Sequence, residues 1–113
     1  MNPFKLVYKN YLTDHGFSFR ETEDGRIEID EDQMRIEVDL TQGIDVRIFY
    51  KRKFPEIKDE RRKIGLVEYY ASEEGVWFTR PVTEFDEIRI DEIIDLVERR
   101  ITQLEETAVM ILQ

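Results

Sequence analysis

Cysteine is absent from the chain, histidine and tryptophan occur once each, and the only serines are Ser18 and Ser72. The first absence removes thiolate nucleophiles, disulfide staples and sulfur-ligated metals. A serine nucleophile would need His15 as its base. His15 stands just before Gly16 at the end of an amphipathic segment, where a helix's last turn favours such a side chain, and no third group is marked to orient it. Neither GxxxxGK[ST] nor GxGxxG occurs, so no phosphate-cradling loop of known type is expected. No apolar run approaches the ~18 to 20 residues that span a bilayer. The start, MNPFKLVYKNYL, lacks the charged-then-apolar pattern of a secretory leader, so a soluble cytoplasmic protein without membrane contact is the expectation.

Charge and apolar residues are what the chain has in quantity. Its 113 residues carry 17 Lys and Arg against 26 Asp and Glu, a formal net charge of −9, with 41% hydrophobic residues and seven Phe. That suits one domain, 1–113, with a real core. Acidic clusters arise here by composition alone. Asp30, Glu31 and Asp32 lack the ligand spacing and central glycine of a calcium loop and read as a solvated turn. No catalytic residue, cofactor or metal ligand is assigned from sequence.

Asn2 and Pro3 form a helix start, cap followed by first-turn proline. Phe4, Val7, Tyr8, Tyr11 and Leu12 follow at helical spacing until Gly16. Alternating segments come next: Phe17 to Glu21, Arg26 to Asp30, Met34 to Leu40, Ile44 to Tyr50, Leu66 to Ala71 and Val76 to Arg80. Short polar connections (TEDG, DEDQ, TQG, SEEG) predict antiparallel pairing of successive strands. With DEDQ as a loop, Ile29 faces Met34, Ile27 faces Ile36, Glu28 meets Arg35 and Arg26 meets Glu37. With TQG as a loop, Val38 meets Val46, Glu37 meets Arg47, and Asp39 meets Asp45 at the sheet's end. The last third reads as one long helix through Ile90, Ile94, Val97, Ile101, Leu104, Ala108 and Ile111. Its start is a Thr83 and Asp86 capping box, or else Asp91. The fold expected is α+β: an antiparallel five- or six-stranded meander sheet flanked by an N-terminal helix and a long C-terminal helix.

Three surfaces could carry function. The long helix would extend about 33 Å, longer than a six-residue strand at roughly 20 Å. Its stripe therefore serves either the core or a homodimer interface through Val97, Ile101, Leu104, Ala108 and Ile111. The segment Lys51 to Lys63 carries a net charge of +4 while the rest carries −13. Pro55 could open a short helix there, turning Ile57 and Ile64 inward and Arg61 and Arg62 outward. The alternative is a connection neutralised by the protein's own acids. The last hairpin should pair Tyr70 with Trp77 on the face away from the core, near Phe49, as structural stacking or as a hot spot.

The function expected is a non-enzymatic, acidic protein-binding module: an adaptor, an inhibitor or a chaperone-like homodimer. Its partner-binding residues are Phe49, Tyr70, Trp77, Arg61, Arg62 and Lys63. One version is a nucleic-acid mimic of the kind viruses and mobile elements carry. The order helix, meander, long helix, together with the acidity, is similar in outline to class I type III secretion chaperones. The extra strands depart from that pattern, and no residue carries over. Two other classes stand beside this one: nucleic-acid binding through 51–63 with aromatic stacking, and a metal-dependent hydrolase.

Overall fold

A computed structural model describes residues 2–113. Helix α1, Pro3–Asp14, begins as its sequence dictates: the Asn2 side chain accepts hydrogen bonds from the Phe4 and Lys5 amides, and Pro3 occupies the first turn, where its missing N–H costs nothing. It ends at Gly16, with φ +73°. The Gly16 amide bonds back to Thr13 at 3.1 Å and the Phe17 amide to Leu12 at 2.9 Å, a Schellman closure.

Eight strands follow: β1 Arg20–Glu21, β2 Ile27–Asp30, β3 Met34–Asp39, β4 Gly43–Tyr50, β5 Arg62–Ile64, β6 Val67–Ala71, β7 Val76–Thr79 and β8 Thr83–Glu84. Two single 3-10 turns, Phe85–Glu87 and Ile90–Glu92, lead into α2, Ile93–Leu112. The α+β class and the antiparallel sheet between an N-terminal helix and a long C-terminal helix are as expected. The strand count is higher by two short strands, β5 and β8.

The sheet order is β1-β2-β3-β4-β7-β6-β5, with β8 beside the start of β4. The neighbour of β4 is thus β7, not the next strand in sequence. The long connection 51–61 carries the chain to the far edge, and β5, β6 and β7 return inward as hairpins. Gly75 permits the join, since a Cβ there would strike the Tyr50 carbonyl oxygen.

The register of β3 with β4 is the predicted one, Val38 opposite Val46 and Asp39 opposite Asp45. The β2–β3 register is corrected. Ile27 lies opposite Val38, Ile29 opposite Ile36, and Glu28 opposite Glu37. The turn closes from the Glu31 amide to Met34, one residue later than the charge pattern implied. Apolar rows decide the matter: this register continues Ile27 and Val38 into Val46, and Ile29 and Ile36 into Ile48. The like charges it sets opposite each other are relieved from the side, Glu28 by Arg20 and Glu37 by Arg26 and Arg35.

Alternation sends Ile27, Ile29, Ile36, Val38, Ile44, Val46, Ile48, Val67, Tyr69, Val76 and Phe78 to one face, where Tyr8 and Leu12 of α1 and the α2 stripe close the core. Four of the five residues expected at a dimer interface belong here. Val97, Leu104 and Ala108 are fully buried and Ile101 nearly so, while Ile111 is half-buried. The sheet has claimed the stripe, because burying it within one chain needs no second copy. Neither expected cap opens α2, whose N-cap residue, Glu92, makes no side-chain bond. Thr83 sits in β8 instead, and its hydroxyl accepts from Arg100.

The segment Lys51 to Lys63 also departs from expectation. No helix follows Pro55; 51–61 is irregular and Arg62–Ile64 is a strand. Phe54 and Ile57 pack against the edge of the core, and β5 pairs with β6, so contacts to the sheet fix the path instead of helical periodicity. Of the expected strand from Phe17 to Glu21 only the last two residues pair, because Phe17 is still part of the helix's closure. No helix among the described residues is long and apolar enough to cross a membrane.

Candidate functional site

Both helices pack on one face of the sheet, so the other face is open. Three aromatic residues stand in one row across it. Phe49 on β4 is opposite Trp77 on β7, and Trp77 is opposite Tyr70 on β6. The Phe49 and Trp77 ring centroids are 4.7 Å apart, tilted by 38°. Phe49 is only 4% exposed although it lies outside the main core, while Trp77 and Tyr70 are half-buried.

Guanidinium groups lie over this row. Arg35, directly opposite Phe49, places its guanidinium carbon 5.1 Å from the Phe49 ring and 5.7 Å from Trp77. Arg61 lies 4.3 Å from the centre of Tyr70. Such contacts stabilise the row by about 0.5 to 1 kcal/mol each.

Of the six expected partner-binding residues, five come together: Phe49, Trp77 and Tyr70 in the row, and Arg61 and Lys63 beside it on Glu68, at 3.1 and 3.5 Å. Arg62 does not join them. It pairs in register with Tyr69, whose side chain points to the core, and its guanidinium meets Glu60. Sequence reasoning placed Arg35, Arg47 and Glu37 only as register partners and gave them no role at this face, although the β3–β4 register it predicted already sets Arg35 across from Phe49. Glu37, 3% exposed, is held by Arg26 at 2.7 Å and Arg35 at 3.0 Å.

On the open face most carboxylates are matched: Glu28 with Arg20, Glu37 with Arg26 and Arg35, Asp45 with Arg47, and Glu68 with Arg61 and Lys63, while Asp39, opposite Asp45, only accepts from the Thr41 amide. On the helical side, Glu98 and Glu105 have no ion pair among the described residues and line a small, mostly apolar cleft of about 140 Å³ with Tyr8 and Met34. Burial holds the Glu98 carboxyl above the ordinary carboxylate range, opposed by a hydrogen bond from Tyr8; burial, then the charges of Glu31 and Glu98, do the same to Glu105. The aromatic row therefore lies among paired charges, while these two unpaired carboxyls lie on the helical side.

Within the basic segment most cations already have partners. Lys51 bonds to Asp30, Arg52 covers the Phe54 ring at 4.5 Å, and Arg61, Arg62 and Lys63 meet Glu68 or Glu60. His15 caps α1, its Nδ1 3.0 Å from the Tyr11 carbonyl oxygen. Among the described residues no three Asp, Glu or His side chains gather in a way that could hold a metal ion. The chain matches no family model, no curated protein and no solved structure.

Proposed function

We propose that the protein is a non-enzymatic binding module that docks a protein partner on the open face of its sheet, centred on Trp77. The observation that carries this reading is the row Phe49, Trp77 and Tyr70, aligned across three adjacent strands on a face that neither helix covers and roofed by Arg35 and Arg61. Tryptophan, tyrosine and arginine packed together are what binding hot spots are made of. The charges around the row are paired within the chain, so a partner would meet the half-buried Trp77 and Tyr70 among paired charges, with Phe49 buried beside them as support. The net charge of −9 acts at long range and disfavours nonspecific attraction to nucleic acid. A phosphate track along 51–63 is the weaker reading, since five of its seven basic side chains are engaged within the chain.

Self-association is the second part of the proposal and falls to the end of α2, where Val109 and Met110 are 53% and 62% exposed beside Ile111. The test of the main reading is affinity capture from the native host, followed by reconstitution with the purified partner. Trp77→Ala should abolish the complex while leaving the melting temperature within a few degrees. Undiminished binding by that variant would overturn the reading. Light scattering at high concentration tests the dimer, which a monomer would remove.

A further inference from the structure

Beyond Tyr70 the aromatic row runs into a cleft of about 250 Å³ at the end of the open face, lined by Arg47, Arg61 and Arg80 with Asp45 and Glu68, Arg80 turning its guanidinium from there to Gln103 of α2. In a chain of net charge −9 this is an unusual gathering of guanidinium groups. Two of the cations share or stretch their ion pairs. Arg47 reaches Asp45 at 3.4 Å, and Arg61 shares Glu68 with Lys63. The third has no carboxylate among the described residues: Arg80 donates to the amide oxygen of Gln103, and its Nε is buried without an acceptor. A buried donor left unmatched is rare and calls for an explanation.

Arg100 lies behind Arg80 and adds to the imbalance. It is 8% exposed, and its donors meet only neutral acceptors, the carbonyl oxygens of Ile44 and Pro81 and the Thr83 hydroxyl. Neither guanidinium has an ion pair among the described residues, and although Asp45 attracts Arg100, the repulsion from Arg80 is the larger effect, so the rim of the cleft keeps a positive potential. The volume suits one side chain, and a planar guanidinium presents forked donors that fit a carboxylate.

We infer that this cleft binds a carboxylate side chain of the protein partner, so that the segment docked across Trp77 is acidic at the position that passes Tyr70. The inference rests on the docking face proposed above and names its specificity. A nucleic acid is a poorer occupant. Its phosphates repeat along the strand and need a basic track, whereas Asp45 and Glu68 stand within this cleft and the chain as a whole carries −9.

The experiment titrates the intact protein with an acetylated tetraglutamate peptide. The readouts are the side-chain Nε–Hε signals of Arg47, Arg61 and Arg80 and the emission of Trp77. Tetraglutamine, inorganic phosphate and an oligothymidylate are the comparisons. Saturable shifts with tetraglutamate and none with tetraglutamine are expected, weakened about tenfold by Arg47→Gln or Arg80→Gln, the loss of one charge-assisted hydrogen bond. Arg80→Gln also disturbs the contact to Gln103, so the exposed Arg47→Gln decides the matter if the former unfolds. No saturable shift, an equal shift in Arg47→Gln, or tighter binding of phosphate or oligothymidylate than of tetraglutamate would overturn the inference. Failure here with Trp77→Ala still abolishing partner capture removes the cleft and leaves the docking face. Tetraglutamate binding with capture unaffected by Trp77→Ala keeps the cleft and removes the face.

Discussion

Arg100 on α2 donates to the hydroxyl of Thr83 on β8 at 2.6 Å, and the same guanidinium reaches the carbonyl oxygens of Pro81 and Ile44 at 3.2 and 3.4 Å. One side chain thus ties the long helix to the chain leaving β7 and to the start of β4. Burial and the neighbouring charge of Arg80 push its ionisation downward, so the bond set holds a cation that its surroundings do not favour. Arg100→Ala should destabilise the fold by about 2 to 3 kcal/mol, through acceptors left without donors. Arg100→Lys should recover little of this, because an ammonium on a flexible stem does not reproduce the fork. Urea unfolding of the three proteins measures both.

Glu37 is predicted to matter more than any other carboxylate of the open face. Its side chain is nearly enclosed between Arg26 and Arg35, and Arg35 in turn lies on Phe49 and Trp77. Glu37→Ala should cost about 1 to 3 kcal/mol and change the emission of Trp77 as Arg35 loses its anchor. A double-mutant cycle with Arg26 should show coupling. Additive effects would mean that the enclosure is incidental.

Stability should rise as the pH falls from neutrality towards the ordinary carboxylate range. Burial raises the carboxyls of Glu98 and Glu105, so the folded state holds protons that the unfolded state has already released. That contribution is present at and below the ordinary range and is lost as the pH rises through the raised values. The carboxylates held low by their partners, Glu21 by Lys9 and Asp30 by Lys51, act at lower pH and do not oppose this trend. Melting temperatures across the mildly acidic range should show the rise, and Glu98→Gln combined with Glu105→Gln should flatten it.

Gly75→Ala should loosen the β4–β7 join at a cost of about 1 to 3 kcal/mol. The added methyl would collide with the Tyr50 carbonyl oxygen and lie 3.0 Å from the Phe49 ring. Trp77 would move with β7, so fluorescence as well as thermal unfolding reports the effect.

Much of this architecture can be read from local chemistry. Asn2, Pro3 and Gly16 mark α1 because caps act over one turn, and the pairing of Tyr70 with Trp77 follows from a short hairpin whose alternation leaves one choice. What could not be read is decided at a distance. Nothing near Tyr50 says that β7 will lie beside it, since that depends on where 51–61 sets the chain down and on a glycine twenty-five residues later. The β2–β3 register misled because Arg26 meets Glu37 diagonally while three strands of apolar residues fix the alignment. The α2 stripe is equally compatible with a sheet and with a second helix, and only the presence of the sheet decides between them. Arg80 and Arg100 are silent in sequence because their neighbours come from β4, β7, β8 and α2.

Trp77 is the only tryptophan, so its emission reads the open face without a label. Titrating the purified partner into the protein should shift and quench that emission in a saturable way, with no response in a Trp77→Phe protein. Saturable binding by calorimetry with unchanged Trp77 emission, and with NMR perturbations confined to α1 and α2, would mean that the partner docks on the helical side and that the aromatic row is only structural.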